Sequence, residues 1–407
     1  MSQNTNRRTF LGQGLAGISL AATAPSFLAL SSRALAAEPA KDDRILVVLQ
    51  LSGGNDGIST VVPHGDDAYY KNRRATALAK KDVLRIDEYA GFNPSLKRMH
   101  GIYGEGELAI IQGASYPNPN RSHFKAMDIW HTADARGRGV DTGWVGRAVD
   151  ACCPDVEDPN LVINIGKTLP YAVEAKQHKA VSFTDPSQYR WAGRASDKQG
   201  FEKLNRPVTA ADQIQWLHRV AVDAQSSSDE IRKAARDYKP KAEYPRSNAR
   251  TQLAGDLRTV AALIRADLAT RVYYVSFGGF DTHNNQNNRH TQLMDTLDAS
   301  LGAFWADIKA QGLADRVCVM VFSEFGRRVT ENGSAGTDHG VAGPMFLLGT
   351  GVKGGLHAKH PSLTELDKGD LKMSCDFRSV YQAVLGDWLR MEPVKILGRQ
   401  FDKLPLF

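Results

Sequence analysis

The residue types best suited to catalysis gather in four short stretches. Residues 52–57 read SGGNDG and carry Asn55 and Asp56 in a glycine-rich turn. Residues 114–134, ASYPNPNRSHFKAMDIWHTAD, place Ser122 where a helix should begin, with His123, Phe124, Met127 and Trp130 upon it. Residues 278–290, GGFDTHNNQNNRH, set Asp281 and His283 two apart, with His290 further on. Residues 323–340, SEFGRRVTENGSAGTDHG, hold Glu324, Arg327 and the adjacent pair Asp338 and His339 between glycines.

Carboxylate with imidazole is a donor set for a divalent cation. Two such residues two apart in an extended loop can face one side, and an adjacent pair in an irregular loop can turn toward one ion or two neighbouring ones. Ser122 is either a helix N-cap or a hydroxyl nucleophile at a helix start, where free N–H groups and the dipole favour phosphate or sulfate. Arg327 or Arg121 could steady the anionic oxygens by paired hydrogen bonds. Glu324 could orient a ligand imidazole or cap a nearby amide. The turn SGGNDG lacks dinucleotide spacing and a P-loop lysine, which sets a nucleotide site aside. A serine hydrolase built on Ser122 lacks the GxSxG elbow. Four separate stretches that each supply a carboxylate, hydroxyl or imidazole share one physical explanation, a metal site that activates a nucleophile against an anionic ester.

Each stretch follows an apolar run that reads as a buried strand: ILVVLQL (45–51), LAIIQG (108–113), RVYYVSF (271–277) and RVCVMVF (316–322). NLVINIG (160–166) and PMFLLG (344–349) are weaker runs, and helical patterns such as RHTQLMDTLDASLGAFWADIKAQG (289–312) lie between several of them. This alternation predicts an α/β three-layer sandwich, a mostly parallel central sheet covered on both faces. Ligands bind such sheets at the carboxyl ends of the strands. Residues 186–246 are polar with helical spacing and predict a helical insertion over the sheet, with Pro240 and Pro245 breaking the chain before the helix of 251–268.

The first 36 residues have the layout of an export signal: NRRTFLG at 6–12 with its twin arginines, a weakly apolar run from Leu11 to Leu30, then Arg33 and a small-residue site after Ala36. This predicts folding before export by the twin-arginine machinery, a periplasmic or secreted domain over 37–407, and no membrane span after cleavage. Arg7, Arg8 and Arg33 account for three of the six net positive charges, and the remaining +3 argues against nucleic acid. Cys152, Cys153, Cys318 and Cys375 show no metal-like spacing and read as buried or inert thiols rather than a disulfide frame.

LSGGNDGISTVVP, RSHFKAMDIWHTA, GGFDTH, FSEFGRR and GTDHG together resemble the exported family named domain of unknown function 1501, from about Leu46 to the C-terminal helix. That resemblance implies the fold of the alkaline phosphatase and sulfatase superfamily. By its motif logic Asp338 and His339 look like the adjacent metal-binding pair, Asp281 and His283 like the other pair, and Asp56 or Asn55 like the first-strand ligand. Ser122 is the nearest candidate nucleophile, with Ser115 and Asn120 as alternatives. The formylglycine signature of sulfatases is missing, and a last ligand histidine is unassigned, with His357 and His360 as the late candidates. The expectation is a metal-dependent hydrolase of phosphate or sulfate esters, using zinc first and calcium, magnesium or manganese as alternatives, on a small-molecule or polysaccharide substrate. The rival is a binding protein on the same fold that has lost turnover and recognises an anionic polymer or a partner.

Overall fold

The computed structural model describes residues 43–135, 140–154, 156, 158–190, 227–246 and 252–407. The apolar runs become strands β1 (Ile45–Ser52), β2 (Leu108–Ser115), β3 (Val162–Ile165), β5 (Val272–Gly278), β6 (Val317–Phe322) and β7 (Gly343–Leu348), and β4 (Val181–Phe183) is a strand outside the runs named above. Two short ones follow, β8 (Gly355–His357) and β9 (Cys375–Asp376). They form a nine-stranded sheet in the order β8-β2-β7-β6-β1-β5-β3-β4, with β9 paired to β2. β1 lies at its centre, parallel to β5 and β6, with Leu46 opposite both Val272 and Cys318. β7 departs from the parallel rule and runs antiparallel to β2 and β6.

β1 shows why the sheet must be covered on both faces. Ile45, Val47, Leu49 and Leu51 enter one core and Leu46 and Val48 enter the other. Successive strand side chains point to opposite faces, so an uninterrupted apolar strand is stable only between two layers. Helices α1 (Lys97–Gly104), α4 (Gln252–Arg265) and α5 (Gln286–Ala310) pack on the first face. Helices α2 (His123–Thr132), α3 (Trp144–Cys152) and α6 (Phe377–Ala383) pack on the second. The predicted three-layer α/β sandwich is therefore the observed one. In α5 the buried residues His290, Met294, Leu297, Leu301, Phe304 and Ile308 recur at three- and four-residue steps, the stripe of a helix lying on a sheet.

The expected export signal over 1–36 lies outside the described residues, as do residues 191–226 of the expected insertion. Of the rest of that insertion, residues 227–237 are helical. Tyr238 ties this segment to α5 by donating to buried Asp307 at 2.6 Å. The cysteine expectation needs correction, because Cys152 and Cys153 form a disulfide at the end of α3 and neither is fully buried. Cys318 and Cys375 are free and buried as expected, and burial pushes both thiols upward, Cys375 to about 12.

Helix α2 is anchored by Trp130, whose ring stacks on Phe377 at 4.0 Å and on Phe322 of β6 at 5.2 Å between centroids. Replacing Trp130 with Ala removes the contact that seats α2 on the sheet. The expected loss is about 3–5 kcal/mol of unfolding free energy, read from urea denaturation.

Candidate metal centre

The loops that carry the polar motifs meet at the carboxyl edge of β1, β5 and β6, and a glycine makes the meeting possible. Gly53 has φ +120°, and a Cβ there would lie 2.6 Å from the Asp281 backbone nitrogen. The turn after β1 and the loop after β5 thus touch backbone to backbone. The Gly53 amide donates to Glu324 Oε1 at 2.9 Å, which draws in the loop after β6.

Arg327 locks these loops from inside. It is buried, and its guanidinium donates to the carbonyls of Gly54 (2.6 Å), Thr337 (2.8 Å), Phe280 (3.1 Å) and Gly53, and to Asp281 Oδ1 at 2.6 Å. The sequence expectation that Arg327 steadies substrate oxygens is corrected: its side chain has no exposed surface and its donors serve protein acceptors. It positions Asp281, whose side chain remains 46% exposed.

Three imidazoles surround the same Asp281 oxygen. His283 Nε2 lies 3.0 Å from it, His339 Nε2 3.1 Å and His123 Nε2 3.7 Å. Each ring also has its Nδ1 on an oxygen. His123 Nδ1 meets Glu324 Oε1 at 2.8 Å, His283 Nδ1 meets Asp338 Oδ1 at 3.3 Å, and His339 Nδ1 meets the Arg121 carbonyl at 2.8 Å. A carbonyl can only accept, so His339 carries its proton on Nδ1 and presents a lone pair at Nε2. The ligand atoms of His123, Asp281 and His339 all lie within 4.8 Å of one another, close enough to share one ion. His283 Nε2 stands 3.0 Å from His339 Nε2, on the open side of the group.

Asp338 sits beside this cluster and faces His283 rather than the Asp281 oxygen. Asn332 donates to its carboxylate at 3.1 Å and to the His283 carbonyl at 3.0 Å, which joins the two loops. The glycine before the pair is required by space: a Cβ on Gly336 would lie 2.1 Å from the His283 carbonyl carbon. Electrostatics follow the contacts. Burial acts to raise the Asp281 carboxyl, but the Arg327 guanidinium outweighs it and the pKa is held at about 2. Asn332 and His283 lower Asp338. The Glu324 hydrogen bond raises His123, whereas burial lowers His339.

Asp56 does not join the cluster. Its carboxylate is fully buried in a two-pronged pair with Arg73, at 2.5 and 3.1 Å, and accepts from Ser59 at 2.8 Å and from Gln286. Asn55 is also buried, between Thr60 and His290. His357 bonds the Lys353 carbonyl and His360 packs on Tyr89, so neither late histidine reaches the group. Ser115 is buried, and the Asn120 side chain accepts from the Ser122 amide. Ser122 stands exposed at the N-cap of α2, and its hydroxyl makes no capping bond. The ligand candidate missed in the sequence is His123. The signal was its place in the first turn of a helix that follows β2, next to the serine already singled out. A cavity of about 1390 Å³ is lined by Gln50, Ser52, Met127, His131 and Ser276 among others, and none of the cluster residues lines it. Met127, which lines it, is one helical turn along α2 from His123.

A family model described as Protein of unknown function (DUF1501) matches residues 108–390, more than half of the chain, beginning at β2. No curated protein matches. Similar solved structures include the PsFucS1 sulfatase from Pseudoalteromonas sp., at 10% identity, 89% of this chain and 70% of that one, TM-score 0.39. A protein in the alkaline phosphatase superfamily from Vibrio parahaemolyticus matches at 8% identity over 88% and 71%, TM-score 0.35. The C-terminal periplasmic domain of EcEptC from Escherichia coli matches at 9% identity over 90% of each, TM-score 0.34. These scores carry nothing about chemistry, which rests on the residues of the centre.

Replacing Arg73 with Met strands the Asp56 charge and should cost about 3–5 kcal/mol in urea unfolding, with recovery on adding Asp56→Asn. Burial raises the Asp56 carboxyl, but the Arg73 guanidinium overrides it and holds the pKa at about 2. The folded value lies below the unfolded one near 4, so the pair's contribution is complete above about pH 4 and fades as pH falls through about 2. Acid titration of Asp56→Asn should show a flatter stability profile in that window. Gly336→Ala should destabilise by about 1–3 kcal/mol in the same denaturation assay, because backbone cannot yield as a side-chain tip can.

Proposed function

The chain belongs to the DUF1501 family, and from that premise we propose that it is an exported metal-dependent hydrolase of phosphate or sulfate esters. The reading is carried by one observation, three imidazoles with their Nδ1 atoms on oxygen and their Nε2 atoms around Asp281 Oδ1. The donor set fits a cation. His283 Nε2 and His339 Nε2 stand 3.0 Å apart, and a positive ion beside both attracts two ring nitrogens brought that close. Asp281, His123, His283 and His339 are the proposed ligands, and imidazole-rich coordination suits zinc ahead of manganese, magnesium or calcium. A bound ion of this kind supplies Lewis acidity to an ester oxygen and acidifies a hydroxyl near it.

The chain's own groups supply the rest. Glu324 orients His123, and Asp338 with Asn332 orients His283. Ser122 is the proposed attacking hydroxyl, exposed at the first turn of α2, where unpaired backbone N–H groups favour an anionic ester. The cavity that Met127 lines, one turn along α2 from His123, is the proposed place for the remainder of a small molecule or a polysaccharide unit. The twin-arginine segment at 6–12 supports export through that machinery to the periplasm or beyond, and the Cys152–Cys153 disulfide suits an oxidising compartment. Among the described residues no helix is long and apolar enough to cross a membrane. A second reading, a binding protein without turnover, is favoured by the Ser122 hydroxyl, which makes no capping bond and, among the described residues, no hydrogen bond to a base.

The test is a panel of phosphate and sulfate esters with zinc-loaded and chelated protein. Hydrolysis is expected only in the loaded form, Ser122→Ala should lower kcat by at least about 100-fold, and Glu324→Gln should weaken metal affinity by about 10–100-fold. Retained metal without turnover on any ester would favour the binding protein. Turnover that survives chelation would overturn the metal-dependent reading.

A further inference from the structure

Two arginines outside the cluster share one carboxylate. Asp370 Oδ2 is ion-paired with Arg121 Nη2, and Arg328 Nε lies 3.7 Å from Asp370 Oδ1. The Asp370 side chain is only 3% exposed, whereas those of Arg121 and Arg328 are 37% and 36% exposed. The carboxylate is presented by a rigid turn. Asp370 donates its amide to the Asp367 carbonyl at 2.9 Å and accepts the Asp367 amide at 3.0 Å. Between them Lys368 and Gly369 both take positive φ, 52° and 88°, as in a two-residue type I′ hairpin. A lysine in the left-handed region is uncommon, so the chain accepts local strain to hold Asp370 there.

A salt bridge that merely pinned this turn would need one arginine. Here a single buried carboxylate faces two guanidiniums, with Asp367 close to Asp370 and Asp338 close to Arg328. Asp370 Oδ1 is buried and accepts no hydrogen bond. The Arg328 Nη atoms donate to no described residue. Both arginines are fastened to the metal centre by their backbones. The Arg121 carbonyl accepts from His339 Nδ1 at 2.8 Å, and the Arg328 amide donates to the Asp338 carbonyl at 3.0 Å. The two guanidiniums therefore sit at the rim of the centre, on the side of Asp338 and His339.

We infer that Arg121 and Arg328, set by Asp370, form an oxyanion seat that takes a second anionic group of the substrate, a carboxylate, sulfate or phosphate, next to the ester bound at the metal centre. The role as a substrate subsite rests on the hydrolase reading above; the anion seat itself does not. Guanidinium presents a planar fork that matches two oxygens of such a group. Arg328 offers its free Nη donors, Arg121 is shared between Asp370 and the ligand, and Asp370 keeps both chains in place.

The probe is inorganic sulfate, titrated calorimetrically into the full chain in chelated and zinc-loaded forms. Chelated wild type should bind it, and Arg121→Gln and Arg328→Gln should each weaken binding by about tenfold. Arg328→Lys, which keeps the charge, should lose less. Asp370→Asn, checked for folding by circular dichroism, should bind sulfate at least as tightly as wild type, because the amide oxygen still accepts from Arg121 and holds it in place while the competing negative charge is gone. Sulfate binding indifferent to both glutamine variants would overturn the seat, as would binding confined to zinc-loaded protein or abolished in folded Asp370→Asn. A chain that fails to take up zinc yet loses sulfate binding in the glutamine variants would defeat the metal reading and leave the seat standing.

Discussion

Arg327 brings a positive charge into the interior and surrounds it with the carbonyls of Gly53, Gly54, Phe280 and Thr337 and the carboxylate of Asp281. A buried guanidinium without such partners costs several kcal/mol, so the loops after β1, β5 and β6 are each bound to where its donors point. Arg73 repeats the device on the same loops, pairing with Asp56 and donating to the carbonyls of Val329 and Arg328. Gln286 connects the two, since its amide donates to Asp56 and accepts from Thr282 and Thr337. The irregular backbone at the sheet edge is thus fixed by charge and hydrogen bonding where strand pairing has ended.

That fixed frame is what allows exposed residues to hold a defined geometry. Asp281 offers one side to Arg327 and the other to solvent and the imidazoles. His339 arrives because β7 is antiparallel: the chain returns along the carboxyl edge before entering the sheet, and Arg327 and His339 form an isolated bridge there. His123 arrives from β2, two strands away across β7, on a helix held down by Trp130. Each ring is then turned by a different oxygen, from Glu324, Asp338 or the Arg121 backbone. Three independent acceptors giving one common orientation is a stronger sign of a shared ligand than proximity alone.

Much of this was legible in the sequence because periodicity and strand-end placement are local signals. The long apolar runs fell on β1, β2, β5 and β6 within a residue or two at each end, and the stretches that follow them are the ones that meet. What was not legible depends on partners distant in the chain. Asp56 looks the same as a ligand or as half of a buried pair until Arg73 is seen against it. Arg327 looks like an anion-binding arginine until the four carbonyls around it are known. The role of His123 was hidden by the neighbouring serine, since a first-turn residue has no pattern of its own. The antiparallel course of β7 and the pairing of adjacent Cys152 and Cys153 likewise leave no mark in hydrophobic spacing.

The central claim, that these imidazoles and Asp281 are arranged to hold a cation, is tested most directly by elemental analysis of the folded full chain after dialysis against zinc. About one tightly held ion per chain is expected, lost in the combined Asp281→Asn and His339→Ala variant while its circular dichroism spectrum stays that of the wild type. Wild-type protein that retains no metal, or a variant that retains as much as the wild type, would contradict it.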